Sequence, residues 1–160
     1  MEVTDETVTL RVPASAEYVD LVRVTLYGIA AKMGFSYEEI EDMKVAVSEA
    51  CNNAVLHAYG SLQAGHAAQV PNHPLIVEIR FIKHRDALSI VVKDNGQSFD
   101  ARGQAKQSSP LEHGQSIDEL HVGGLGLYLM QALMDHVEVH SGSGTEVILT
   151  KRLGRGEATV

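Results

Sequence analysis

Residues 49–59 read EACNNAVLHAY, inside a segment that otherwise spells a long amphipathic helix. Neighbouring asparagines are poor helix formers, because their amides compete with the backbone for hydrogen bonds. The helix around them is nevertheless well specified. Ser36 with Glu39 three residues later makes a capping-box pattern. Ile40, Met43, Val47, Ala50 and Ala54 then recur at helical spacing as one apolar stripe. The pattern predicts a helix from Ser36 to about Ala58 or Tyr59, with Gly60 as its stop. Glu49, Asn53 and His57 advance by only about 40° at each four-residue step, so they form a polar stripe along the rim of the apolar one. A carboxylate, an amide and an imidazole on one rim make a surface that can face a ligand. An amide oxygen can sit on a magnesium ion, and a carboxylate one turn earlier can take a proton from an attacking hydroxyl. The plain alternative is a solvated helix face with a histidine at its end. Asn52 lies about 100° from Asn53 and is expected on the surface, and Cys51 beside the apolar stripe is expected to pack.

Working outward, residues 6–13 (ETVTLRVP) alternate like a strand ending at Pro13. Val19, Val22, Leu26, Ile29 and Met33 mark a helix over residues 15–33, with Gly34 as its C-terminal stop. After a small-residue loop at 60–74, LIVEIRFIK and ALSIVVKD read as two strands joined through HRD. A long, weakly patterned polar stretch follows over 94–122, the kind that serves as a lid or mobile loop. GGLGLYLMQALM then becomes a helix ending near Met134, and HVEVHS and TEVILTKR form a second hairpin through GSG. The tail after residue 152 is expected to be disordered. No internal repeat is evident. Runs of strands with the helices set apart predict an α+β fold, a two-layer α/β sandwich whose mostly antiparallel sheet is covered on one face by three helices.

The chain has 160 residues and 44% hydrophobic content, which suits a single domain, residues 1–160, with one core. Its net charge of −8 argues against nucleic acid as a primary partner. No apolar run approaches a membrane span of about 20 residues, and the acidic N-terminus does not resemble a signal peptide. One cysteine, Cys51, excludes an intrachain disulfide. The expectation is a cytoplasmic protein with no membrane partner.

Three further stretches carry chemistry. In DNG, Asp94–Gly96, a carboxylate at a strand end can accept a hydrogen bond from an exocyclic amine, and the glycine admits a flat ring; a simple turn is the alternative. GGLGL, Gly123–Leu127, opens a helix with glycines that let backbone N–H groups approach phosphate, or else act as a hinge. It is neither a Rossmann nor a Walker signature. GSGT, Gly142–Thr145, reads as a hairpin turn whose Thr145 can face a ligand.

In order and context these stretches resemble the N, G1 and G2 boxes of the GHKL (Bergerat-fold) ATP-binding superfamily. VSEACNNAVLHAY (47–59), VTLYGIAAKMGFSYEEIEDMK (24–44) and VGGLGLYLM (122–130) closely resemble the RsbW-type anti-sigma factors, which are serine-protein kinases. The likeness covers roughly residues 6–152. It implies ATP and Mg²⁺ as cofactors, with Glu49 as general base and Asn53 as the Mg²⁺ ligand. By the same resemblance His57 is a looser phosphate-side match, Asp94 accepts from the adenine amine, and Gly96 lies under the ring. Gly124, Leu125 and Gly126 would present backbone amides to phosphate, Thr145 would support the adenine end, and residues 100–122 would form the ATP lid. The G1 box departs from the common Asp-x-Gly-x-Gly in carrying Ser98 in the last place, a substitution RsbW-type proteins resemble this chain in tolerating. The resemblance further implies a homodimer that holds an alternative sigma factor and phosphorylates a serine of a STAS-domain anti-anti-sigma factor. Two other readings are a nucleotide-binding module that sequesters without catalysis, and an ATPase or detached histidine-kinase domain. Glu49 weighs against the first, since sequestration needs no base; the lack of a phosphoacceptor helix and of a transducer domain weighs against the second.

Overall fold

The computed structural model describes residues 5–63, 75–94, 123–142 and 144–154. Strand β1 (Glu6–Pro13) leads through a 3-10 turn at Ala16–Tyr18 into helix α1 (Val19–Met33) and then α2 (Tyr37–Gln63). Strands β2 (Ile76–Lys83) and β3 (Ala87–Asp94) follow, then α3 (Gly123–Leu133), β4 (His136–Gly142) and β5 (Gly144–Arg152). The five strands form one sheet in the order β1-β2-β3-β5-β4, and every neighbouring pair is antiparallel. Among the described residues the expected α+β sandwich is therefore observed, with three α-helices and a sheet of wholly antiparallel pairing.

The stop of α1 and the start of α2 can both be traced to local hydrogen bonding. Gly34 takes φ 101°, and its N–H reaches Ala31 O at 3.1 Å while that of Phe35 reaches Ala30 O at 3.1 Å. This pairing closes α1 in a Schellman turn that needs the left-handed conformation glycine adopts freely. The capping box forms as expected: Glu39 N–H donates to Ser36 Oγ at 3.1 Å and Ser36 N–H to Glu39 Oε1 at 2.8 Å. The far end of α2 differs from the expectation, because the helix passes through Gly60 to Gln63. A glycine inside a helix costs about 1 kcal/mol relative to alanine. That is too little to end a helix already propagated over many turns.

The core lies between the helices and one face of the sheet. Val22, Leu26 and Ala30 of α1, and Met43, Val47 and Ala50 of α2, are buried against Ile79, Phe81, Ile90, Val92 and Leu149. Ile29 and Met33, expected on the α1 core face, pack only partly against it. Cys51 is buried with this cluster, as expected, while Asn52 is half-buried rather than fully on the surface. Register links Leu10, Ile79, Val92, Val147 and Val139 as one row across the helix-facing side. The next row begins Val12, Val77, Asp94, so a carboxylate ends an otherwise apolar line. The expected tail is anchored at its start: Leu153 packs on the core and donates its N–H to Asp86 O at 2.8 Å, and Gly154 N–H donates to Glu39 Oε2. Residues 155–160 lie outside the described residues.

Candidate nucleotide site

Helix α2 packs between α1 and α3, with its buried face on the sheet. This arrangement leaves the rim carrying Glu49 and Asn53 directed at the first turn of α3. The closeness can be measured at Gly126: a Cβ placed there would lie 2.8 Å from Glu49 Oε1 and 3.3 Å from Asn53 Nδ2. Only glycine lets the α3 backbone come so near those two side chains. Because α3 begins at Gly123, the N–H groups of Gly124 and Leu125 are among the four at a helix start that lack an intrahelical acceptor. They stand at the positive end of the helix dipole, where an anion is favoured. The Leu125 side chain is itself exposed and Gly126 is buried.

Beside this junction a cavity of about 120 Å³ opens between α2, α3 and the sheet. Asn53, Asp94 and Thr145 line it together with Ala50, Leu127 and Met130, and with Val92, Val139 and Val147 from the strands. As lined by the described residues it is smaller than the roughly 300–1,000 Å³ of whole-ligand pockets, a size that suits one flat ring. Asp94 is only 4% exposed at the end of β3. Thr145 lies one step beyond the last β3–β5 pair, Lys93↔Glu146, which brings it level with Asp94. A buried carboxylate and a hydroxyl on an apolar slot, with the start of α3 meeting Glu49 and Asn53 beside it, match the polarity of an adenine nucleotide. The residues present thus suit ATP, and Asn53 and Glu49 supply oxygen donors of the type Mg²⁺ takes.

Among the expected site residues, Asn53, Asp94 and Thr145 line this slot, Glu49 and Asn53 meet α3 at Gly126, and Gly124 and Leu125 precede Gly126 in the first turn of α3. His57 falls in α2 one turn past Asn53, but its side chain lies outside the described residues, as do Gly96 and the lid at 100–122. Two features escaped the reading of the sequence. In the sequence Gly144 is only part of a hairpin turn, yet it has φ 91°, and a Cβ there would lie 2.3 Å from the backbone oxygen of Asp94. The glycine is what lets the β4–β5 turn close over the carboxylate. The apolar walls Val92, Val139 and Val147 were visible only as strand alternation, which does not show that the three meet.

Cys51 is the chain's one thiol, and burial pushes its pKa up to about 12, against a smaller opposing effect from Arg23. It is therefore a packing residue and not a nucleophile. Among the described residues no helix is long and apolar enough to cross a membrane.

Residues 12–151 match the family described as histidine kinase-like ATPase domain. The chain is 46% identical over 155 residues to the serine-protein kinase RsbW of Bacillus pumilus, covering 97% of this chain and 91% of that protein. It is 45% identical to RsbW of Bacillus subtilis over 146 residues, 91% of this chain and 85% of the relative. RsbW of Listeria monocytogenes is 39% identical over 151 residues, 94% and 90% of the two chains. A crystal structure of the RsbU and RsbW domains of a Mycobacterium tuberculosis protein superposes with a TM-score of 0.59 at 23% identity. That match covers 94% of this chain and 33% of the other, and it shows the shared fold. With these relatives matched over nearly the whole of its length, the chain belongs to the RsbW family of serine-protein kinases, built on a histidine kinase-like ATPase domain.

Proposed function

We propose that this chain is an ATP- and Mg²⁺-dependent kinase that phosphorylates a serine of a STAS-domain anti-anti-sigma factor, and that it also binds and inhibits an alternative sigma factor. The observation that carries the catalytic part is the meeting of Glu49 and Asn53 with the α3 backbone at Gly126, next to the slot that Asp94 closes. When bound, Mg·ATP supplies the γ-phosphoryl group and the cation that neutralises its charge. The chain's own groups do the rest. Asp94 accepts a hydrogen bond from the exocyclic amine of the base, and Thr145 supports that end. Asn53 offers its Oδ1 to the cation. The amides of Gly124 and Leu125 donate to phosphate oxygens. Glu49, one helical turn before Asn53, would take the proton from the hydroxyl of the acceptor serine as its oxygen bonds to the γ-phosphorus and the bond to the departing ADP breaks. Gly96 under the ring, His57 on the phosphate side and residues 100–122 as a lid complete the assignment carried by the family likeness.

The sigma and antagonist partners rest on the kinship with RsbW. A homodimer is part of the same reading. It is supported by an apolar strip on α1, where Leu21, Val24 and Tyr27 are exposed beside edge strand β1 with its exposed Val8. Such contiguous apolar surface is the usual mark of an association site.

The test combines the purified chain, labelled ATP, Mg²⁺ and a STAS-domain antagonist, comparing wild type with Glu49→Ala. Label on an antagonist serine, lost in the variant while ATP still binds, is the expected result. Tight nucleotide binding with no transfer from the wild type would leave a sequestering module and remove the catalytic role of Glu49.

A further inference from the structure

Helix α3, whose start carries the amides assigned to phosphate, is fastened to β5 at its far end. The Asp135 N–H donates to Thr150 O at 3.0 Å, Lys151 Nζ donates to Leu133 O at 2.7 Å, and the Arg152 N–H donates to Asp135 Oδ2 at 2.7 Å. Leu133 is the last residue of α3, so its carbonyl is one of the four at a helix end that lack an intrahelical donor. The helix dipole favours a cation there, yet the last turn of α3 carries no basic residue of its own. Lys151 supplies one from the neighbouring strand. Its side chain is only 14% exposed, and its Nζ also lies 3.7 Å from Asp42 Oδ2 of α2. One ammonium group therefore ties the end of α3 to the first half of α2.

Asp42 precedes Glu49 by seven residues, and Leu133 follows Gly126 by seven. Seven residues are about two turns, or roughly 10 Å, and return almost to the same helix face. The meeting of Gly126 with Glu49 and the Lys151 bridge from Leu133 to Asp42 are thus two tie points on one antiparallel helix pair. Two points fix both the slide and the tilt of α3 against α2, where one would leave a pivot. We propose, on the reading of the α3 start as the phosphate site, that Lys151 is a positioning residue for the phosphate end of the nucleotide. It sets where the Gly124 and Leu125 amides stand relative to Asn53 and Glu49. Lys151 itself is the length of α3 away from those amides, roughly 16 Å for 11 residues, and touches no phosphate. Small slides matter, because a misplacement of about 1 Å by a change far from the chemistry can cost about 100-fold in rate. Asp94 and Thr145 stand on strands and keep their places when α3 slides.

The experiment compares the full chain with its Lys151→Met, Lys151→Arg and Asp42→Asn variants. Calorimetry measures the affinity of each for Mg·ATP and for adenosine, which has no phosphate, and amide NMR follows Leu125 and Gly126 without nucleotide. Lys151→Met keeps the length of the side chain and removes its charge. The expected result is Mg·ATP binding weakened by about tenfold or more, adenosine binding close to wild type, and displaced Leu125 and Gly126 signals. Lys151→Arg should recover most of the Mg·ATP affinity. Asp42→Asn should cost about threefold in Mg·ATP affinity, since its pair with Lys151 is the looser tie; that ratio decides if Lys151→Met does not fold. A lysine that only stabilises the fold would lower the melting temperature and weaken both ligands alike. Equal weakening of Mg·ATP and adenosine, or unchanged Mg·ATP affinity in the variants, would overturn the proposal while leaving the nucleotide site in place. A wild-type chain that binds no Mg·ATP would instead remove the nucleotide reading, and the role of Lys151 with it.

Discussion

Gly126 and Gly144 both guard close approaches, but a methyl group at each meets a different obstacle. At Gly126 the nearest atom is Oε1 of Glu49, the far end of a flexible side chain. Gly126→Ala should therefore fold with a melting temperature near wild type, yet move the proposed base and lower kcat by about tenfold or more. Steady-state phosphotransfer beside a thermal melt separates the two effects. At Gly144 the obstacle is the backbone of Asp94, and φ is 91°. Gly144→Ala should destabilise by about 1–3 kcal/mol, measured by urea unfolding. Cys51 makes a pH prediction. Its folded pKa, raised by burial, exceeds the unfolded value near 9.0, so the neutral thiol contributes fully below pH 9. That contribution is lost as pH rises from 9 towards about 12, because only the unfolded chain then ionises freely. An aromatic disulfide reagent at pH 8 should label Cys51 only at the rate of unfolding; rapid labelling of the native chain would contradict the burial.

For the elements, the best test is the start of α2, the helix that carries Glu49 and Asn53. Ser36→Ala removes one half of the capping box and should cost about 1 kcal/mol in denaturant unfolding. Glu39 does more, since one oxygen holds Ser36 N–H and the other Gly154 N–H. Glu39→Ala should therefore lower stability further than Ser36→Ala and also loosen residues 153–154, seen as faster amide exchange at Gly154. Loss confined to the helix start would show that the Glu39–Gly154 link contributes nothing. The same helix illustrates a limit of local signals. Its cap was legible because Ser36 and Glu39 interact within one turn. Its end was not, because Gly60 weakens a helix without stopping it.

Across the whole molecule, the site spans three elements that only packing brings together, so ligand binding should report on the fold as a unit. Saturating Mg·ATP at about 100 times its dissociation constant should stabilise the chain by about 2.7 kcal/mol. Asp94→Asn should abolish most of the corresponding rise in melting temperature while leaving the apo melt measurable. An unchanged rise would remove Asp94 from the nucleotide site. The α1 strip makes a separate prediction. Val24 is 68% exposed, so Val24→Asp should spare the monomer fold but shift a dimer to monomer in light scattering. A wild-type monomer at high concentration would remove the dimer from the proposed reading.

The sequence by itself determined the elements and their faces: the apolar stripes of α1 and α2, the alternating strands and the polar rim at Glu49 and Asn53. These follow from periodicity and capping, which act over a few neighbouring residues. It also placed helix-opening glycines ahead of α3 and a carboxylate at the end of β3. Tertiary structure alone decided that the β4–β5 hairpin closes against β3, setting Gly144 on the Asp94 backbone and Thr145 beside its carboxylate. It likewise decided that Gly126 meets Glu49, and that Val92, Val139 and Val147 share one wall. The physical reason is range. Strand order and helix docking are set by burying all the apolar faces at once, a property of the whole chain that no local stretch encodes.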